Sequence, residues 1–372
     1  MVTCALLFTA MQILAPTQAW SELETSVKLT LLGSILSDSS EDPAFSFMGQ
    51  GELGFAATGN PDVKAEISLS AVYTDALITP PEDLLKKAYI RTHFDILRVT
   101  AGKTRVAWGD GFVFNAGDVV FGSMIPVADL SASLLRDATD WMADLYLPLA
   151  DFSFIEAIIL PYSPERTPSS PLIEADTLRG GGRIVTKLAG IKIETGYLFK
   201  GDAIIHNPYV SFQGNIFFDA YISASMSIPA VDPAEQDIRN GLAVSGGIYR
   251  IFSLDDSSSL LVRLEAASWP FGIWNENDAA GFGNEDRFGI LLYPEITWSP
   301  SDILALQLRA MINPVDSSGM ISFMTSFSIY QGFDVMGYTW VMYGDANDTY
   351  FGFDRPVTGG GLGISAGFRY IY

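Results

Sequence analysis

The chain has 372 residues, a formal net charge of −21, 48% hydrophobic residues and only 17% charged ones. So apolar a chain, with its small charge complement strongly acidic, does not fit a solvated helical domain and offers no basic face for nucleic acid. Abundant Gly, Ser, Tyr and Phe favour strands and turns instead.

Residues 1–19 read MVTCALLFTAMQILAPTQA, a short apolar core closing on Thr17, Gln18 and Ala19. This is the pattern of a secretory signal peptide cleaved after Ala19, which leaves 20–372 as a single domain. The usual basic n-region is missing, because no Lys or Arg precedes Lys28. Cys4 is the only cysteine, so the exported chain is expected to hold no disulfide and no thiolate-bound metal. Beyond this segment no run reaches the roughly 18 apolar residues that a membrane helix needs.

From residue 26 onward the hydrophobic period is two. In 62–74, Val63, Ala65, Ile67, Leu69, Ala71 and Tyr73 oppose Lys64, Glu66, Ser68 and Ser70. The pattern recurs in 191–200, where Ile191, Ile193, Tyr197 and Phe199 oppose Lys192, Glu194 and Lys200. In 259–269, Leu260, Val262 and Leu264 oppose Arg263 and Glu265. Such segments run to about 10–13 residues, enough to cross a bilayer at a tilt, whereas strands of soluble sheets average about half that.

Short connections, such as Thr58–Pro61, Asp95–Leu97, Ala189–Gly190 and Ser299–Ser301, alternate with longer polar ones near 37–43, 75–86, 109–138, 161–178, 201–207, 229–239, 270–285 and 344–359. The expected fold is all-β: a transmembrane antiparallel up-and-down β-barrel of about 16–18 strands, with short periplasmic turns and long extracellular loops. Segment 207–213 is the weakest strand. Trp108, Trp141, Trp269, Trp298 and Tyr343 fall near segment ends, where an interfacial girdle belongs.

The run Gly102-Lys-Thr-Arg-Val-Ala-Trp-Gly-Asp-Gly111, followed by Asn115-Ala-Gly-Asp118, resembles a segment of larger porin-type barrels. There a strand with Gly, basic residues and Trp-Gly leads into an Asn-x-x-Asp loop, usually Asn-Pro-x-Asp. The resemblance implies a substrate channel. It assigns no catalytic residue.

With the apolar faces outward, Arg91, Lys103, Arg105, Arg183, Lys187 and Lys192 are expected to line the pore or lie near a rim. The 109–138 connection carries Asp110, Asp118, Asp129 and Asp137 and is itself partly apolar. A long loop with apolar residues of its own packs against something. Residues 112–136 are therefore expected either to fold inward as a constriction or to lie over the rim. Inside, carboxylates facing basic wall residues create a transverse field that filters solutes.

Catalytic and metal motifs are missing. His93 and His206 are the only histidines and neither sits in a ligand-spaced pattern, so no metal, no cofactor and no enzyme activity are expected. His93, on strand 87–96, is the one residue an enzyme barrel could use.

The chain ends Leu362-Gly-Ile-Ser-Ala-Gly-Phe-Arg-Tyr-Ile-Tyr372, with Phe368, Tyr370 and Tyr372 on one face. This resembles the terminal strand of bacterial outer-membrane β-barrel proteins, although many of those end in Phe. The resemblance implies recognition by the barrel-assembly machinery and a belt of outer-membrane lipid. A barrel of about 16–18 strands is wide enough for an aqueous lumen, so passive diffusion of small hydrophilic solutes is expected. A homo-oligomer is left open. The alternative is a surface adhesin or structural barrel whose loops bind host or matrix ligands.

Overall fold

The structure is a computed structural model and describes residues 23–38, 43–75, 78–122, 138–161, 178–201, 204–215, 217–231, 235–275, 288–345, 348, 350 and 361–372. The expected signal peptide, Cys4, Asp129, Asp137 and most of 112–136 lie outside the described residues. In chain order the strands are β1 (Leu23–Asp38), β2 (Ala44–Ala57), β3 (Val63–Thr74), β4 (Leu85–Phe94), β5 (Leu97–Thr104), β6 (Asp140–Ala150), β7 (Ser153–Leu160), β8 (Arg179–Leu188) and β9 (Ile191–Lys200). There follow β10 (Ile205–Asn215), β11 (Asp219–Met226), β12 (Ile228–Pro229), β13 (Leu242–Ser253), β14 (Ser259–Ser268), β15 (Ile290–Ser301), β16 (Leu304–Asn313), β17 (Ser318–Tyr330), β18 (Phe333–Tyr343) and β19 (Gly361–Ile371). A short helix α1 (Glu235–Asn240) sits in the connection before β13.

Successive strands pair antiparallel, except that β11 pairs with β13 and the short β12 pairs with β10, and β19 pairs with β1 from Lys28↔Ile371 to Asp38↔Gly361. Beyond that ladder, Val27 and Tyr372 exchange backbone hydrogen bonds of 3.0 and 2.8 Å. The last residue thus helps to close the barrel, which removes both exposed sheet edges. The two-residue β12 continues the stave of β11 after Ser227, so the barrel has eighteen staves.

Segment 207–213, expected to be the weakest, belongs to the full-length strand β10. Pro208 there cannot donate to a ladder. It falls where the neighbouring stave is itself interrupted between β11 and β12, so its missing N–H disturbs little. Two connections on the long-loop rim are also short: residues 201–204 and 314–317.

Side-chain alternation sets the two faces. Ile67, Ile184, Ile222, Ile248, Ile296 and Ile364 point outward and are exposed, as a lipid-facing wall requires. Inward positions carry small hydroxyls. Ser211 bonds Ser223 at 2.7 Å and Ser34 bonds Ser365 at 2.8 Å, hydroxyl pairs that link neighbouring staves across the lumen wall. Phe368, Tyr370 and Tyr372 share the outward parity of Leu362 and Ile364, and Phe368 stacks on Phe333 at 5.6 Å.

Inward tyrosines need room across the wall. Gly196 is in register with Tyr209, and a Cβ at Gly196 would meet the Tyr209 ring at 2.4 Å. Gly196→Ala is therefore expected to destabilise the barrel by about 1–3 kcal/mol, because Tyr209 must leave its packed position. Urea unfolding in detergent micelles measures this, and an unchanged midpoint contradicts it.

Candidate functional site

The chain that leaves β5 does not rise from the rim. Residues 105–122 lie against inward faces of the wall from β6 to β17, and half of them are buried. Their local shape follows from the Asn115-Ala-Gly-Asp118 sequence. The Asn115 Oδ1 accepts from the Gly117 amide at 3.0 Å, and its Nδ2 donates to the Trp108 carbonyl at 2.9 Å. Gly109, at φ +68°, lets the two arms touch at Gly117, where a Cβ on Gly109 would come within 2.6 Å. Asp118 accepts from the Phe121 amide at 3.2 Å and ends the turn. The result is a folded hairpin with apolar residues on both sides.

Its first anchor is Trp108, fully buried and stacked on Tyr209 at 5.7 Å. The indole N–H donates to Glu156 at 2.7 Å, and the Gly109 amide donates to Glu194 at 2.7 Å. Arg183 stands between those two carboxylates, at 2.8 Å from Glu156 and 2.9 Å from Glu194, and donates to the Ala107 carbonyl at 2.6 Å. Val106, Val119 and Val120 complete this cluster with Met142, Ile158, Leu160 and Leu198.

The second anchor is Glu265. Its buried carboxylate accepts from three consecutive amides, Phe112 at 3.0 Å, Val113 at 2.7 Å and Phe114 at 3.0 Å. A buried charge is tolerated where its lone pairs are filled in this way. Arg263 lies 3.6 Å above the Phe112 ring and pairs with Glu295 at 2.9 Å. Ser245 receives the Ala116 amide at 2.8 Å. Val113, Phe114 and Ala116 pack into a cluster with Trp269, Leu291, Tyr293, Met311, Met320 and Tyr350. Burial pushes the Tyr350 phenol, in the connection after β18, well above its ordinary range, and the charge of Asp316 adds to this.

The residues singled out from the sequence fall in several places. Lys192 reaches Asp110 at 2.9 Å, and Ser211 donates to the same carboxylate at 2.9 Å. Arg105 pairs with Asp118 at 2.7 Å, a contact within the inward segment rather than across the lumen. Arg183 faces wall carboxylates rather than the aspartates of the segment. Lys187 lies near the short-turn rim, over the Phe152 ring at 4.8 Å. Arg91 bonds Thr100 on the adjacent stave at 3.2 Å. Lys103 has the outward parity, in register with Ala88 and Trp141, so it sits on the outer face by the loop rim and does not line the pore. The alternation through Ala101 and Lys103 decides this, because inward positions on β5 are Thr100 and Thr104.

The period-two pattern puts Glu194 and Glu265 on polar strand faces but assigns them no role, and Glu156 and Glu295 carry no motif that singles them out. The usable signal was a carboxylate on a strand face otherwise made of Gly, Ser and Thr, where desolvation demands a partner. His93 is exposed near the short-turn rim, in register with Arg98, and His206 contacts Tyr197.

Space remains beside the segment. A cavity of 320 Å³ is bounded by Arg105, Asp110, Phe112, Asp118, Tyr249 and Arg263. A second, of 380 Å³, opens toward the short-turn rim between Phe152, Lys187, Lys192 and Asp219, and Gln213 borders both. The Lys192–Asp110 pair stands at their junction.

A closed barrel of this stave number, with an apolar outer face, a hydroxyl-rich inner wall and a loop folded into the lumen, has the fold of porin-type outer-membrane β-barrels. Pseudomonas aeruginosa OccK2 (OpdF), solved in complex with glucuronate, is similar with a TM-score of 0.57 and 9% identity, covering 94% of this chain and 98% of that one. P. aeruginosa OccK11 (OpdR) has a TM-score of 0.56 at 8% identity over 94% and 96% of the two chains. P. aeruginosa OpdQ has 0.56 at 10% identity over 95% and 98%. At such identities the likeness is one of fold. No protein-family model and no curated protein matches the sequence.

Proposed function

We propose that this protein is a passive outer-membrane channel for small hydrophilic solutes, narrowed from within by residues 105–122. The observation that carries the proposal is the placement of that segment on the inner wall, held by Glu156, Glu194 and Glu265. Polar cavities bordered by cations and carboxylates suit small solutes with charge or hydroxyl groups. The glucuronate bound in the structure of OccK2 is a small polar acid of this kind, which supports the solute class. Export through residues 1–19, and assembly through the terminal strand bearing Phe368, Tyr370 and Tyr372, complete the proposal. A homo-oligomer is compatible with it.

Swelling of liposomes that contain the refolded barrel, in isosmotic sugars and amino acids, tests the channel. Swelling that slows with solute size is expected. Liposomes that do not swell in any of these solutes contradict the proposal and leave an adhesin or structural barrel.

Within the channel, Lys192 and Asp110 set the local field at the junction of the cavities. Lys192→Glu replaces the cation that Asp110 and Glu194 share with a further carboxylate and is expected to move the permeability ratio toward cations roughly twofold to fivefold. Reversal potentials in a salt gradient read this. An unchanged ratio places the ion path elsewhere.

A further inference from the structure

Arg250 is a cation on the lipid-facing side of the barrel. It alternates with Tyr249, which borders the inner cavity, and shares its face with exposed Ile248 and Phe252. It lies near the end of β13, at the short-turn rim, where the connection from β10 to β11 brings Phe217 and Phe218 beside it. The guanidinium lies 4.3 Å from the Phe217 ring, 5.2 Å from Phe252 and 5.8 Å from Phe218, and one Nη donates to the Phe217 carbonyl at 2.7 Å. Among the described residues it has no ion-pair partner.

An unpaired arginine on an apolar wall is unfavourable at the bilayer centre, and the penalty falls close to zero at the interface. There it meets phosphate. A guanidinium whose faces are held by rings keeps its in-plane N–H edge for an acceptor, and a phosphodiester matches that edge with two oxygens. Phe217, 67% exposed at the tip of its turn, supplies an apolar surface for the start of an acyl chain.

We propose that Arg250, with Phe217, Phe218 and Phe252, forms a binding site for the phosphate headgroup of an anionic glycerophospholipid in the leaflet at the short-turn rim. The site rests on the proposal that the barrel spans an outer membrane, whose short-turn side faces the periplasmic leaflet. Lys103, on the outer face at the opposite rim, is a matched control, because it carries the same charge without a comparable aromatic clamp.

The test is native mass spectrometry of the folded barrel in detergent, titrated with phosphatidylglycerol or with phosphatidylcholine. Both lipids carry the phosphodiester, but the choline ammonium offsets its charge, so one phosphatidylglycerol is expected to bind roughly fivefold more tightly than phosphatidylcholine, the preference that one interfacial arginine supplies. Arg250→Gln is expected to abolish that preference and Lys103→Gln to leave it intact. Phe217→Ala alters only an exposed turn, so it keeps the test available if Arg250→Gln fails to fold, and it is expected to weaken the preference. A preference that survives Arg250→Gln, or that survives Phe217→Ala if Arg250→Gln does not fold, overturns the site. So does an equal loss in Lys103→Gln. Displacement of the lipid by millimolar inorganic phosphate also overturns it, because the site then takes a free anion. Insertion of the barrel into phosphatidylcholine vesicles is scored separately. Failure of insertion counts against the membrane proposal, whereas failure of lipid selectivity counts only against the site.

Discussion

Glu265→Ala is expected to release the inner segment from the β13–β15 wall and to raise single-channel conductance roughly twofold, with noisier current. The three amides of Phe112, Val113 and Phe114 lose their common acceptor at once, and each buried unsatisfied amide costs about 1–3 kcal/mol. Arg263 keeps Glu295, so the wall itself retains its ion pair and the effect stays local. Glu265→Gln retains one carbonyl oxygen but turns an N–H toward the amides, and it is expected to fall between wild type and Glu265→Ala. Planar-bilayer recordings of both variants check this. Wild-type conductance in Glu265→Ala would show that the segment is held without this carboxylate.

Arg183→Met is expected to have the largest effect on stability. The guanidinium compensates Glu156 and Glu194 together, and both carboxylates are almost wholly buried. Removing one member of a buried charge group costs about 3–5 kcal/mol, because the remaining charges stay desolvated. Glu194 keeps Lys192, Tyr209 and the Gly109 amide, whereas Glu156 keeps only the Trp108 indole among the contacts described above. Glu156 should therefore dominate the loss. The triple variant Glu156→Gln, Arg183→Met, Glu194→Gln is expected to recover most of it, since no uncompensated charge is left. Urea midpoints in micelles distinguish these outcomes. A triple variant as unstable as the single one shows that packing of Arg183 against Trp108 and Phe154 matters more than its charge.

The wall of the barrel was readable from the sequence, because a period of two with one apolar face is a local signal repeated in stave after stave. Ile191 to Lys200 shows it without help from neighbours, and so does the closing strand through Tyr372. Strand number was harder to read. Pro208 makes β10 look broken, and only its neighbour's own interruption explains why it is not. Short loop-rim connections at 201–204 and 314–317 also blur the alternation of turns and loops.

The inner segment was half legible. Its apolar residues announced packing, and the pairing of Asp110 with Lys192 follows from opposite charge once the two are in one lumen. The anchoring of amides by Glu265 was hidden, because a backbone N–H leaves no trace in side-chain pattern and the partners lie about 150 residues apart. Lys103, expected in the pore or near a rim, lies by the loop rim, and the alternation through Ala101 and Thr104 turns its side chain outward.

The most direct test of the account replaces residues 106–121 with a short Gly-Ser linker and records single-channel conductance against wild type. A barrel narrowed from within should conduct at least roughly twofold better and lose its discrimination among solutes of increasing size. Unchanged conductance and an unchanged size limit would place the constriction elsewhere and contradict the role given to this segment.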